Sequence, residues 1–224
     1  MDLGLDGKRA LVTGASQGIG RACAEALAQE GCDLVLVARN AAKLEQAKGE
    51  LESYGVKVQA KAVDLTQPGA AAALATAFPA MDILVNNAGA IPRGSLLEVD
   101  EAAWRAGWEL KVFGYISLTR EYYRRMVERR DGVIVNVIGI GGEKLEYAYA
   151  AGSTGNAALA AMTRAVGSVS LDYGVRVLGV HPGWVETERA RRSLRRRAEQ
   201  ELGDAERWPE LTRQWPRGGL IQPR

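Results

Sequence analysis

The chain is predicted to fold as an α/β protein of three layers, a doubly wound parallel sheet with helices on both faces. Three observations predict it. Short apolar runs alternate with helical patterns along most of the sequence. The first run, Ala10-Leu11-Val12, opens into a glycine-rich turn, Thr13-Gly14-Ala15-Ser16-Gln17-Gly18-Ile19-Gly20, that leads into an alanine-rich helix. Polar motifs follow several of the later runs, where such sheets bind their ligands.

Each element has its own signal. After the helix that begins near Arg21, Leu34 to Ala38 is apolar throughout, as expected of a strand covered on both faces. A helix over 41–53 and a third strand over 56–63 follow. The alanine-rich stretch 68–78 reads as a helix and Ile83-Leu84-Val85 as a fourth strand. A long helical pattern covers 100–129, with Asp100 as its N-cap. Val133 to Val137 is a fifth strand, small residues over 153–173 form a helix, and Val175 to Val180 is a sixth strand. Strands separated by helices imply right-handed crossovers. With no repeat, low-complexity stretch or linker, one domain over 1–224 is expected.

Composition limits the function classes. Hydrophobic residues are 47% and charged residues 25%, ordinary for a soluble globular protein. The net charge of +2 is too small to argue for a nucleic-acid partner. No apolar run approaches the ~20 residues that span a membrane, so no membrane partner is expected. Cys23 and Cys32 have neither metal-ligand nor disulfide spacing, which fits a reducing cytoplasm and predicts no metal site.

A strand, a glycine turn and a helix in succession make an anion cradle. Glycine admits close approach by a pyrophosphate, and free N–H groups at the helix start complement its charge. The spacing G-x-x-x-G-x-G differs from the commoner G-x-G-x-x-G, and alone it suits a ligand-free tight turn equally well. Asp64 and Leu65 end the third strand, Asn86-Asn87-Ala88-Gly89 the fourth, and Pro182-Gly183-Trp184-Val185-Glu186-Thr187 follows the sixth. All lie at C-terminal strand ends, which favours a ligand.

With these motifs, residues 7–224 resemble the short-chain dehydrogenase/reductase family. The resemblance implies a single Rossmann domain that binds NAD or NADP, acts on a small molecule, and forms a homodimer or homotetramer through the 100–129 and 153–173 helices. It implies that Gly14, Gly18 and Gly20 carry the pyrophosphate and Asp64 the adenine, with Ser16, Gln17, Ile19, Leu65 and Asn156 also among the cofactor-binding residues. Asn86, Ala88 and Gly89 would border the adenosine ribose. Thr187 would hold the nicotinamide carboxamide beside Pro182 and Gly183, with His181 structural. Residues 188–216 would form a helical substrate lid. The family's last helix and seventh strand find no counterpart before Gln222-Pro223-Arg224. At the end of the second strand, Val37-Ala38-Arg39-Asn40 lacks the acid that accepts from the NAD ribose, and Arg39 offers donors suited to a 2′-phosphate. NADP is therefore expected over NAD, the other reading being an exposed loop arginine.

The resemblance stops at the chemistry. The family uses a tyrosine, a lysine four residues later, a serine thirteen residues before the tyrosine, and an asparagine in the long helix. The matching positions here are Gly152, Asn156, Gly139 and Lys111. Lys111 interrupts a face of Trp104, Trp108, Tyr115, Leu118 and Tyr122, an unfavourable place for an ammonium without a partner. It either snorkels to solvent or meets a carboxylate, or it faces the cleft as a proton donor or substrate clamp. Tyr149, three residues before the usual tyrosine position, either packs in its loop or turns its phenol into the cleft. Ser153 and Thr154 offer hydroxyls or act as helix N-caps. Arg189, Arg191, Arg192, Arg195, Arg196 and Arg197 in the lid suit an anionic substrate or a solvated helix balanced by the later acids. Two main readings follow: an NADP-dependent oxidoreductase of carbonyls or alcohols with a non-standard proton donor, and a catalytically degenerate NADP-binding sensor or oligomer partner. A non-redox enzyme on the same fold is a third.

Overall fold

The strands are β1 (Arg9–Thr13), β2 (Asp33–Ala38), β3 (Val58–Ala62), β4 (Ile83–Asn86), β5 (Gly132–Val137) and β6 (Val175–Val180). They form one sheet in the order β3-β2-β1-β4-β5-β6, with every neighbouring pair parallel. This computed structural model describes residues 3–213, 215 and 219–223. Among them, six strands are present and no helix is long and apolar enough to cross a membrane.

The period of two along the central strands sorts their side chains between two cores. Ala10, Val12, Leu34 and Leu36 pack on one face with Ala24 and Ala28 of α1 (Gly18–Gln29) and Leu44 and Leu51 of α2 (Ala41–Glu52). Leu11, Val35, Val37 and Leu84 pack on the other with Leu74 of α3 (Ala70–Ala77). Each fully buried leucine or valine contributes roughly 1.5–3 kcal/mol, which fixes the register of the sheet.

The long helix is three segments. These are α4 (Glu101–Trp108), a π-helical turn over Glu109–Phe113, and α5 (Gly114–Arg129). Asp100 caps α4 as expected, accepting from Ala103 N at 2.7 Å. Tyr115, Leu118 and Tyr122 are fully buried, whereas Trp104 and Trp108 are half-buried. The helix expected over 153–173 starts earlier, as α6 (Ala150–Ser170), followed by a 3₁₀ turn, Leu171–Tyr173. Ser153 and Thr154 are therefore not caps. Ser153 Oγ accepts from Glu146 N (3.3 Å), and Thr154 Oγ1 donates to Ala150 O (2.9 Å) inside the first turns.

The chain expected as one domain divides into two compact units, Met1–His181 and Pro182–Arg224. In the second, Thr187 caps α7 (Glu188–Leu202), accepting from Ala190 N at 3.1 Å. A bridge between Val185 and Ile221 and a Trp184–Trp215 ring contact at 5.3 Å close this unit. Positions 214 and 216 of the expected lid, and Arg224 of the chain end, lie outside the described residues.

Candidate active site

The glycine turn ends β1 and starts α1. Gly14 (φ +66°) and Gly18 (φ +60°) occupy the left-handed region that side chains avoid. A Cβ at Gly20 would overlap the Gly14 carbonyl and the Asn87 amide, so the third glycine is required by packing. Helix α1 has no side-chain cap at Gln17 and no acid in its first turn. Its leading N–H groups and positive dipole end are thus left to an anion, and the turn fits a pyrophosphate. Ser16 and Ile19 are half-buried and Gln17 is exposed around it.

Asn87 and Thr13 hold the turn against β4, a role the sequence did not single out. Thr13 Oγ1 donates to Val85 O (3.3 Å) and accepts from Asn87 N (2.9 Å) and Ala88 N (3.0 Å). Asn87 Nδ2 donates to Thr13 O at 2.9 Å. Asn86 points beneath this loop and is fully buried. Its Nδ2 donates to Asn136 Oδ1 (2.9 Å) and Thr119 Oγ1 (3.1 Å), and Asn136 Nδ2 donates to Thr163 Oγ1 (3.0 Å). The side chain of Asn86 thus braces the ends of β4 and β5.

At the end of β2, Arg39 is exposed, and its charge contributes to holding Asp64 ionised. Hydrogen bonds from the Thr66 N–H (3.0 Å) and hydroxyl (2.8 Å) are the larger reason that the Asp64 carboxyl stays below the usual carboxylate range. Leu65 beside it is half-buried. A second cation was not foreseen. Asn40 caps α2 by accepting from Lys43 N (2.9 Å), and Lys43 Nζ then reaches back to Gln17 Oε1 (2.9 Å). The Asn-x-x-Lys spacing carried that signal.

The departures cluster at the C-terminal ends of β4 and β5. Lys111, on the π turn, is 8% exposed and does not snorkel. Its Nζ donates to Val137 O (2.6 Å) and Tyr115 Oη (2.8 Å), and Tyr115 Oη donates to the same carbonyl (2.9 Å). The stem lies so close to Gly89 that a Cβ there would come within 2.6 Å of Lys111 Cδ. Gly139, at the serine position, has φ +114°, a conformation that a serine would adopt only under strain. Asn156, at the lysine position, is 3% exposed, and its Oδ1 has no hydrogen-bond partner among the described residues. A buried acceptor left open at this point suits a ribose hydroxyl.

Tyr149 lies across Gly152. A Cβ on Gly152 would overlap Cζ and both Cε atoms of the ring, so the ring fills the space that a side chain at 152 would take. Gly141 flanks it, with its own Cβ position 3.3 Å from Cδ1 and Cε1 of the ring. The Arg93 guanidinium stacks over the ring at 4.7 Å. Trp108 Nε1 donates to Ala151 O (2.9 Å), which anchors this end of α6. His181 Nδ1 stands 3.9 Å from Glu143 Oε1, which Arg164 also approaches at 3.6 Å. Pro182, Gly183 and Thr187 belong to the second unit. There Arg191 pairs with Glu186, Arg195 with Glu206 (3.3 Å) and Arg197 with Glu201 (2.6 Å), as a solvated helix would. Among the described residues no cluster of three or more histidine, cysteine or acidic side chains could hold a metal.

Comparison with known proteins identifies the family. Residues 8–198 match the model of the short chain dehydrogenase family. Galactitol 2-dehydrogenase (L-tagatose-forming) of Cereibacter sphaeroides is 36% identical over 222 residues, covering 98% of this chain and 84% of the relative. Gluconate 5-dehydrogenase of Gluconobacter oxydans is 32% identical over 204 residues, with coverages of 89% and 78%. The crystal structure of L-sorbose reductase from Gluconobacter frateurii, complexed with NADPH and L-sorbose, superposes with a TM-score of 0.90 at 30% identity, covering 100% of this chain and 88% of that one. The chain belongs to the short-chain dehydrogenase/reductase family of oxidoreductases.

Proposed function

We propose that the protein is an NADP-dependent oxidoreductase that interconverts a secondary alcohol and a carbonyl on a small polyhydroxylated molecule, with Tyr149 as the group that moves the proton. The observation that carries this reading is the Tyr149 ring lying across Gly152, so close that a Cβ there would overlap it. When bound, NADPH supplies two electrons and a hydrogen to the carbonyl carbon. The chain's own residues do the rest. The turn from Gly14 to Gly20 binds the pyrophosphate, and Arg39 with Lys43 receives the 2′-phosphate. Asp64 and Leu65 flank the adenine, Ala88 and Gly89 border its ribose above the Asn86 brace, and Asn156 Oδ1 accepts from the nicotinamide ribose. Tyr149 donates its phenolic proton to the substrate oxygen. Lys111 is the brace of the site rather than its acid, since its ammonium is held by Val137 O and Tyr115 Oη.

The relatives named above act on a hexitol, a sugar acid and a ketose, which supports substrates of that kind. A homodimer or homotetramer through the α4–α5 and α6 faces is supported by the exposed apolar side chains of Phe113, Ile116 and Val169. An anionic substrate is a narrower proposal, supported by Arg192 and Arg196, which are exposed on α7 with no ion pair among the described residues.

The test is NADPH binding by fluorescence titration, then turnover on L-sorbose, L-tagatose, 5-ketogluconate, a quinone and a 3-oxoacyl thioester. The expected result is NADPH oxidation on at least one of these, lowered about 10²- to 10⁴-fold but still measurable in Tyr149→Phe, with binding kept. Tight binding with no turnover on any of them would instead favour the degenerate sensor, a reading that rests on replacement of all four tetrad positions.

A further inference from the structure

A phenol that passes on its proton must be held still against the acceptor, and a ring lying over a glycine needs a second contact to hold it. On the α6 side the Tyr149 ring lies over Gly152. On the loop after β4 stands Arg93, whose guanidinium carbon lies 4.7 Å from the centre of the Tyr149 ring. The two are fixed together by their backbones. Gly94 N donates to Ala148 O (2.8 Å) and Ala150 N donates to Gly94 O (3.3 Å), making a short parallel bridge between Gly94 and Tyr149. Glu146 pairs with the outer edge of Arg93 and orients the guanidinium plane. The side chains of Arg93 and Glu146 keep 32% and 35% of their exposure, so water screens the pair only in part.

We propose that Arg93 is the positioning residue of Tyr149. Its guanidinium face holds the ring across Gly152 through a cation–π contact, which keeps the phenol in place during proton transfer. The inference rests on the reading of Tyr149 as the proton donor. In the step concerned, the Oη–H bond of Tyr149 breaks as an O–H bond forms on the substrate oxygen. The carbonyl carbon is reduced by the two electrons that NADPH supplies, and the phenolate regains its proton from solvent. Arg93 changes no bond.

The experiment uses the full chain with NADPH and whichever carbonyl of the panel above is turned over fastest. Arg93→Met keeps the length of the side chain and removes the charge, Arg93→Gln is a second neutral variant in case the first misfolds, and Arg93→Lys restores the charge. Each is also combined with Tyr149→Phe. The expected result is a fall in kcat of about 10- to 100-fold for the neutral variants, with KM and the NADPH dissociation constant changed less than about threefold. Arg93→Lys should recover most of the loss, and Arg93→Met should cost nothing further once Tyr149 is Phe. A neutral variant with full kcat, a Lys variant no better than Met, or an equal loss in the Tyr149→Phe background would overturn the proposal. A Tyr149→Phe enzyme with full turnover, or no turnover of any carbonyl by the unmodified protein, would overturn the reading beneath it instead.

Discussion

Gly152→Ala is the smallest perturbation that separates a working phenol from a merely packed one. A Cβ at 152 would overlap Cζ and both Cε atoms of Tyr149. Carbon atoms rest about 3.5–4.0 Å apart, so the ring must retreat by roughly 1.5 Å. A misplacement of about 1 Å costs on the order of 10²-fold in a positioned reaction, so kcat should fall about 100-fold or more. The glycine turn proposed to bind the pyrophosphate is untouched, and the NADPH dissociation constant should stay within about twofold. Overpacking of this kind also costs about 1–3 kcal/mol of stability, which the assay must separate from the catalytic loss. Gly155→Ala supplies the control. One turn further along α6, the atoms nearest its Cβ would be those of Ile91 (3.1 Å), Trp108 (3.1 Å) and Val112 (3.2 Å), none of them on the Tyr149 ring. Steady-state NADPH oxidation and thermal midpoints for both variants decide the matter. If Gly152→Ala kept kcat within about threefold while binding NADPH normally, the phenol would not be the proton donor.

Three further outcomes are expected. Arg39→Ala should weaken NADPH binding by about 10- to 100-fold and leave NADH binding unchanged, since a lost charge-assisted hydrogen bond is worth about 1.5–3 kcal/mol; equal losses for both nucleotides in a titration would contradict the 2′-phosphate role. Lys111→Met keeps the stem against Gly89 and leaves Val137 O with its Tyr115 donor, so denaturation midpoints should shift by no more than about 1 kcal/mol, whereas Lys111→Ala opens a cavity costing about 2–4 kcal/mol. Burial, and then Asp82 and the other acids nearby, push the Cys32 thiol up to about 11. At pH 8 only about a thousandth is thiolate, so iodoacetamide should label Cys32 slowly until the protein is unfolded. Because its folded value exceeds the unfolded one, the stability it contributes is complete below about pH 9 and lost as pH rises toward 11.

The sheet was legible because parallel strands buried on both faces leave unbroken apolar runs, as at Leu34 to Val37. The glycine turn was legible because left-handed backbone at Gly14 and Gly18 restricts residue choice. Helix limits were less so. The start of α6 at Ala150 was hidden because alanine and glycine there carry no cap signal, while Ser153 and Thr154, which do resemble caps, sit inside the helix. The π turn was invisible because the buried spacing of Lys111, Tyr115 and Leu118 reads the same in an unbroken helix. Lys43 had a local signal in its cap, but Arg93 had none. Its contact with Tyr149 exists only because the loop after β4 returns to pair with the start of α6.

The altered tetrad positions depend on one another, and this bears on whether the site is remodelled or decayed. A site that had merely lost its side chains would leave room for them. Here Gly139 holds a φ of +114° that a serine would strain, and a Cβ at Gly142 would come within 2.7 Å of the Asn156 backbone. Gly152 is closed by the Tyr149 ring, and that ring is held in turn by Arg93 and the Gly94 bridge. Restoring the family tyrosine at 152 would therefore displace the Tyr149 ring that now lies there. Gly152, Tyr149, Arg93 and Gly94 thus form one interlocked unit, and the proposed role of Tyr149 rests on it.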